Sequence, residues 1–174
     1  LLLGFATLVI YSNLPSLETL TDYRPKIPLR IYSDEGLLIG EFGAERRNVV
    51  SISEVPTHLK QAILAAEDDR FYDHGGVDYM GVLRAAYSNF TAGTVRQGAS
   101  TITMQVARNF FLTPEKTLTR KFSEVLLAFK IEQNLSKDKI LELYINQIYL
   151  GQRSYGFSAA AAILFHTIMF VLKR

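Results

Sequence analysis

The feature that most constrains this chain is a succession of helical periods, each with its own start or stop signal, running from about residue 54 towards the C terminus. In SEVPTHLKQAILAAE, Pro56 suits a first helical turn, and Leu59, Ala62, Ile63 and Ala66 recur on one face. Residues 77–92 repeat the pattern with Val82, Leu83, Ala86, Tyr87 and Phe90, and Gly93 supplies a stop. QGASTITMQVARNFFL reads as a third helix, capped by Ser100 or Thr101. Thr113-Pro114-Glu115 has the order of cap, first-position proline and first-turn acid that opens a long fourth helix. Ser136 caps a fifth, with Leu135 and Ile140 at the staple positions and Gly151 as its end. The body is therefore expected to be mainly α, without internal repeats or low-complexity tracts.

A chain of 174 residues that is 48% hydrophobic and 21% charged can bury one core. Its 19 basic and 17 acidic side chains nearly balance, which argues against bulk nucleic-acid binding. The absence of Cys excludes disulfides, thiolate chemistry and Cys-based zinc sites.

The N-terminal LLLGFATLVIY carries no charge but is shorter than the ~20 residues a membrane span needs. It reads as a buried helix or strand, as part of a span cut by the start of the chain, or as the apolar region of a signal peptide. The polar, proline-containing SNLPSLETLTDYRPKIP that follows favours the cut span. Residues 1–12 are thus read as a partial membrane anchor and 13–29 as a linker. In LRIYSDEGLLIGEFG, two β-prone runs flank Asp34-Glu35-Gly36, which predicts a hairpin or extended arm.

The helical face of AILAAE ends in three adjacent carboxylates, Glu67, Asp68 and Asp69. A carboxylate at the end of an apolar face that loses solvation gains proton affinity and suits acid–base work. It can equally be a solvated helix end. Glu67, Asp68, Asp69 and Asp73 also suit a divalent cation, and spacing does not choose among these. In TRKFSEVLLAFKIEQ, Leu118, Phe122, Val125 and Phe129 form an apolar stripe, while Arg120 and Lys121 precede Glu124 by four and three positions. That is either an ordinary exposed ion pair or the two cations and one acid a phosphate-handling site requires. Arg96 and Arg108 add positive charge nearby. Ser100, Thr101, Thr103 and Gln105 offer hydroxyl and amide groups at a helix start, for capping or for sugar and phosphate. His74, beside Gly75-Gly76, is read as orienting the preceding acids.

Together EDDRFYDHGG, RQGASTITMQVARN, RKFSEVLLAFKIEQ and SKDKILELYINQIYLG resemble, in order and spacing, the peptidoglycan glycosyltransferase domain of class A penicillin-binding proteins, glycosyltransferase family 51. The resemblance covers residues 30–162. It implies a lysozyme-like helical fold with a short N-terminal β arm, set against a membrane. It implies polymerisation of lipid II into β-1,4-linked glycan, with inversion and release of undecaprenyl diphosphate. Carried over, Glu67 is the general base and Glu124 the second essential acid. Asp68, Phe71 and His74 support the first motif, and Ser100, Thr101, Gln105, Arg108, Arg120 and Lys121 fall among the substrate-binding positions. The resemblance also implies Mg or Mn at the leaving diphosphate, with ligands the motifs do not assign. It implies as partners lipid II, the growing glycan strand, the membrane and other cell-wall synthesis proteins. The implied location is the bacterial inner membrane, single-pass, with the catalytic domain on the extracytoplasmic face.

Other functions weighed are a lysozyme-like hydrolase or lytic transglycosylase, and an inactive fragment that binds lipid or a partner. After Ala162 the family's aromatic-Gly-Lys stretch is expected, but the chain reads ILFHTIMFVLKR. Residues 163–174 are therefore expected to be an anomalous tail on a C-terminally incomplete domain, with little or no polymerase activity.

Overall fold

The computed structural model describes residues 14–94, 98–113 and 117–172. The expected partial anchor and Arg96 lie outside these residues. In chain order the elements are α1 (Glu18–Thr21), β1 (Leu29–Tyr32), β2 (Leu38–Phe42), β3 (Arg46–Arg47), α2 (Thr57–Glu67), α3 (Tyr79–Ala92), α4 (Ile102–Phe111), α5 (Leu118–Asn134), α6 (Lys137–Gln147), β4 (Ser154–Tyr155) and α7 (Phe157–Leu172). The mainly helical body and the N-terminal β arm are both present. No helix among the described residues is long and apolar enough to cross a membrane.

Helix α4 is the centre of the core. Ile102, Thr103, Met104, Val106 and Ala107 are all buried, and the helix packs against both α5 and α6. Leu127 and Ile131 of α5 and Ile140, Leu141, Tyr144 and Ile145 of α6 close around it. Each fully buried Ile or Leu contributes about 1.5–3 kcal/mol relative to exposure, so this three-helix contact supplies the frame on which the site is hung. The arm is an antiparallel β1–β2 hairpin whose turn places Gly36 at positive φ, as Asp34-Glu35-Gly36 predicts. Buried Arg47 ties the arm to the body. It bonds Glu45, the Tyr23 hydroxyl, the Asn146 carbonyl and Gln147 Oε1, and it stacks 4.3 Å over the Tyr155 ring.

Two sequence expectations about helix ends and one about a helix face are corrected. Helix α5 starts at Leu118, capped by Thr117, whose hydroxyl accepts from the Arg120 amide; Thr113 stands outside any helix. Helix α6 stops at Gln147, before Gly151. The apolar face of α3 is not core. Ala85 is buried, but Leu83, Tyr87 and Phe90 are largely exposed, Phe90 at 87%, and Met80 and Tyr79 beside them are exposed too. Periodicity locates an apolar face but does not say what covers it. Gly93 does end α3, in the left-handed conformation. Helix α7 is continuous across Ala162.

Candidate active site

Helix α2 ends where its side chains change task. Glu67 is its last residue, and Asp68 turns into extended backbone. Asp68 is buried and its carboxylate is fully engaged: Oδ2 accepts from the Ile102 amide at 3.0 Å, and His74 Nε2 lies 2.9 Å from Oδ1. The acid thus pins the loop after α2 to the start of α4. The His74 ring in turn fixes the direction of the Asp68 carboxylate.

The second of the two glycines after His74 has a geometric reason. Gly76 sits at φ +97°, and a Cβ there would lie 3.1 Å from the Ala128 backbone of α5. Its carbonyl accepts from Thr101 Oγ1 at 2.6 Å, while the same hydroxyl caps α4 by accepting from the Met104 amide at 3.2 Å. Of the two expected caps, Thr101 performs the task and Ser100 is free for another. Ser100 Oγ accepts from Lys121 Nζ at 2.7 Å.

Glu67 itself is exposed, so of the two readings of this helix end the solvated carboxylate is the one present. It stands on a cleft of about 520 Å³ whose walls also include Asp69, Asp78, Arg84 and the Gly98–Thr101 turn. Gln105 Nε2 donates to Glu67 Oε2 at 2.8 Å and holds the carboxylate from α4. Arg108 follows Gln105 by one turn of α4 and is half-buried.

Glu124 has the opposite environment. It is 1% exposed, and its two oxygens are taken by Arg120 Nη1 and by Lys121 Nζ, the latter at 2.9 Å. The expected alternative of an exposed ion pair is corrected: the acid is buried and fixes two cations in direction. Through Lys121 this cluster reaches the cleft wall at Ser100.

Phe71 and His74 do not line the cleft. Phe71 is 1% exposed and belongs to the core, with Lys137 Nζ 4.4 Å over its ring. Lys137 also donates to the His74 carbonyl at 2.6 Å and to Glu132 Oε1 at 2.8 Å, and Thr103 Oγ1 donates to the same oxygen at 2.5 Å. This ionic tie, which the sequence reading missed, braces the motif loop against α4, α5 and α6. Asp78 and Arg84 were missed as cleft residues. Asp78 pairs with Arg70, and a Cβ at Gly81 would lie 2.3 Å from Asp78 Oδ2. Burial pushes the Asp78 carboxyl up, but the Gly81 amide and the Arg70 guanidinium outweigh it and hold it below the usual range. The signal was an acid three residues before Gly81, at a helix start.

Of the four carboxylates in the cation reading, two are engaged by other groups. Asp68 is engaged by His74 and Ile102, and Asp69 faces Arg84 at 3.5 Å. Both oxygens of Glu124 are held by side-chain cations, so Glu124 offers no free oxygen to Mg or Mn. Among the described residues no group of three or more His, Asp or Glu is placed to hold a metal ion.

The Transglycosylase family model matches residues 35–173, and so runs past Ala162, where the sequence reading ended the domain. The chain is 61% identical over 165 residues to penicillin-binding protein 1A of Neisseria gonorrhoeae, covering 95% of this chain and 21% of that protein. To penicillin-binding protein 1A of Escherichia coli strain K12 it is 53% identical over 156 residues, covering 90% of this chain and 18% of that protein. The chain therefore spans about a fifth of the length of these curated relatives. The motif order, the helical frame and these matches agree: the chain belongs to the transglycosylase family, as a peptidoglycan glycosyltransferase domain of the class A penicillin-binding protein type.

Proposed function

We propose that this domain polymerises lipid II into β-1,4-linked glycan at the extracytoplasmic face of the bacterial inner membrane, releasing undecaprenyl diphosphate. The observation that carries this reading is the contrast between two glutamates. Glu67 is exposed on a polar cleft and held by a neutral amide, so its carboxylate is available to take a proton. Glu124 is buried and committed to aiming two cations.

The step balances without a covalent intermediate. Glu67 accepts the proton of the acceptor sugar's 4-hydroxyl as that oxygen attacks C1 of the donor. The bond from C1 to the diphosphate oxygen breaks, and its electron pair leaves with the diphosphate. Attack opposite the leaving group converts the α-linked donor to a β-linked product. Arg120 and Lys121 supply the countercharge for the departing anion, in a geometry fixed before the substrate arrives. No step in this scheme is routed through a metal.

A hydrolase needs no such paired cations around its second acid, which favours transfer from a diphosphate donor over cleavage. The outward apolar face of α3, with Leu118 and Phe122 of α5 also exposed, suits a lipid surface that holds the substrate's tail. Incubation with fluorescent lipid II tests the reading. Polymeric glycan supports it, whereas shortening of preformed glycan with no polymer formed from lipid II points to the hydrolase.

A further inference from the structure

The cleft that holds Glu67 is acidic. Glu67, Asp68, Asp69 and Asp78 line it, and Arg84 of α3 is the one cation among its described lining residues. The proposed substrate, lipid II, is an anion, in its diphosphate and in the carboxylates of its stem peptide. An anion that enters a cleft lined by carboxylates needs a fixed countercharge there.

Two of these acids are already engaged. Asp68 is held by His74 and the Ile102 amide, and Asp78 pairs with Arg70. Asp69 is the acid that faces Arg84, its Oδ1 lying 3.5 Å from Arg84 Nη2. That gap is wider than the ~2.7–2.9 Å of a formed charge-assisted hydrogen bond. The two side chains are 60% and 51% exposed, so their pairing contributes little to folding. A guanidinium has five N–H donors, and so loose a contact leaves it able to take a second anion. Chain geometry also sets how near Arg84 stands to the reacting end. Asp69 follows Glu67 by two residues, so their Cα atoms lie within about 7 Å. An acceptor whose 4-hydroxyl meets Glu67 carries its anionic groups one or two sugar rings away, within reach of the same cleft wall.

We propose that Arg84 is an acceptor-binding residue: its guanidinium takes an anionic oxygen of the acceptor, in exchange for Asp69, and so seats the 4-hydroxyl at Glu67. This rests on Glu67 as the base and deepens that reading. It assigns the acceptor a countercharge of its own, separate from Arg120 and Lys121 at the leaving diphosphate.

Arg84→Gln keeps a polar side chain and removes the charge. Polymerisation of labelled lipid II should show KM raised about tenfold, the loss of one hydrogen-bonded charge, with kcat within about twofold and the thermal midpoint unchanged. Arg84→Lys should recover part of the affinity. Asp69→Asn separates substrate binding from a structural pair: KM should stay level or fall, because the competing carboxylate is gone. The Arg84→Gln comparison made with lipid II whose stem-peptide carboxylates are amidated identifies the anion. A tenfold loss that persists assigns the diphosphate, and one that disappears assigns the peptide. A parental KM in Arg84→Gln overturns the proposal, and with Glu67→Gln inactive the base reading still stands. Asp69→Asn that reproduces the Arg84→Gln loss also overturns it, because the pair is then structural. Parental turnover in Glu67→Gln, or no polymer from the parent, removes the base reading and this one with it.

Discussion

Gln105 on α4 holds Glu67 at the end of α2 through a 2.8 Å hydrogen bond, and so joins the proposed base to a helix at the centre of the core. The amide is neutral, so it orients the base without neutralising it. Gln105→Ala should leave the fold intact, since Gln105 is only half-buried, and should lower kcat about tenfold through loss of orientation. Steady-state kinetics with a thermal melt checks this; a fall in the melt equal to that of a core variant would contradict it.

The burial of Glu124 makes a prediction that an exposed pair would not. Glu124→Gln leaves Arg120 and Lys121 beside a neutral, buried amide. Removing one member of a buried pair commonly costs ~3–5 kcal/mol, and the half-exposed Lys121 should bring this below the full range. Turnover should fall together with the denaturation midpoint. Lys121→Ala, by contrast, should impair turnover with little change in the melt, because its ammonium reaches solvent. Comparing the two by urea denaturation separates the roles.

Asp68 holds two elements at once. Asp68→Ala removes both the Ile102 amide's acceptor and the His74 partner, and loss of a capping or buried acceptor of this kind costs about 1–3 kcal/mol. The motif loop should loosen first. Faster hydrogen exchange confined to residues 68–76 and the first turn of α4 is the expected result.

Asp78 carries a pH signature. Its carboxyl is held below the usual range in the folded chain, so the stabilisation it gives is complete above the ordinary carboxylate pKa. It is lost as pH falls through the lower folded value. Asp78→Asn should therefore flatten the acid limb of the stability curve and leave neutral behaviour closer to a constant offset. Gly81→Ala should mimic it, because the new Cβ displaces Asp78 Oδ2 and loosens the Arg70 pair. Thermal melts between pH 3 and 7 read both.

The motif residues were legible because their spacing is helical. Arg120, Lys121 and Glu124 share a patch by arithmetic alone, and the structure puts them in contact. Capping was legible for Thr101 and Ser136, whose hydroxyls accept the expected amides. Burial was not. Nothing local says that Glu124 is enclosed, that Glu67 is open, or that the apolar face of α3 looks outward, since each depends on which helix lies opposite. The tie of Thr103 and Lys137 to Glu132 was hidden for the same reason. Thr103 is distant from Glu132 in sequence, and the two meet only when α4 and α5 pack.

The central claim is that Glu67 takes the proton from the acceptor hydroxyl in glycan polymerisation. The most direct measurement compares the parent chain with Glu67→Gln on labelled lipid II in the same detergent, resolving products by length. The account predicts long glycan from the parent and a rate at least ~100-fold lower from the variant, as loss of a general base requires, with equal thermal midpoints. Polymerisation by Glu67→Gln within a few-fold of the parent would contradict it.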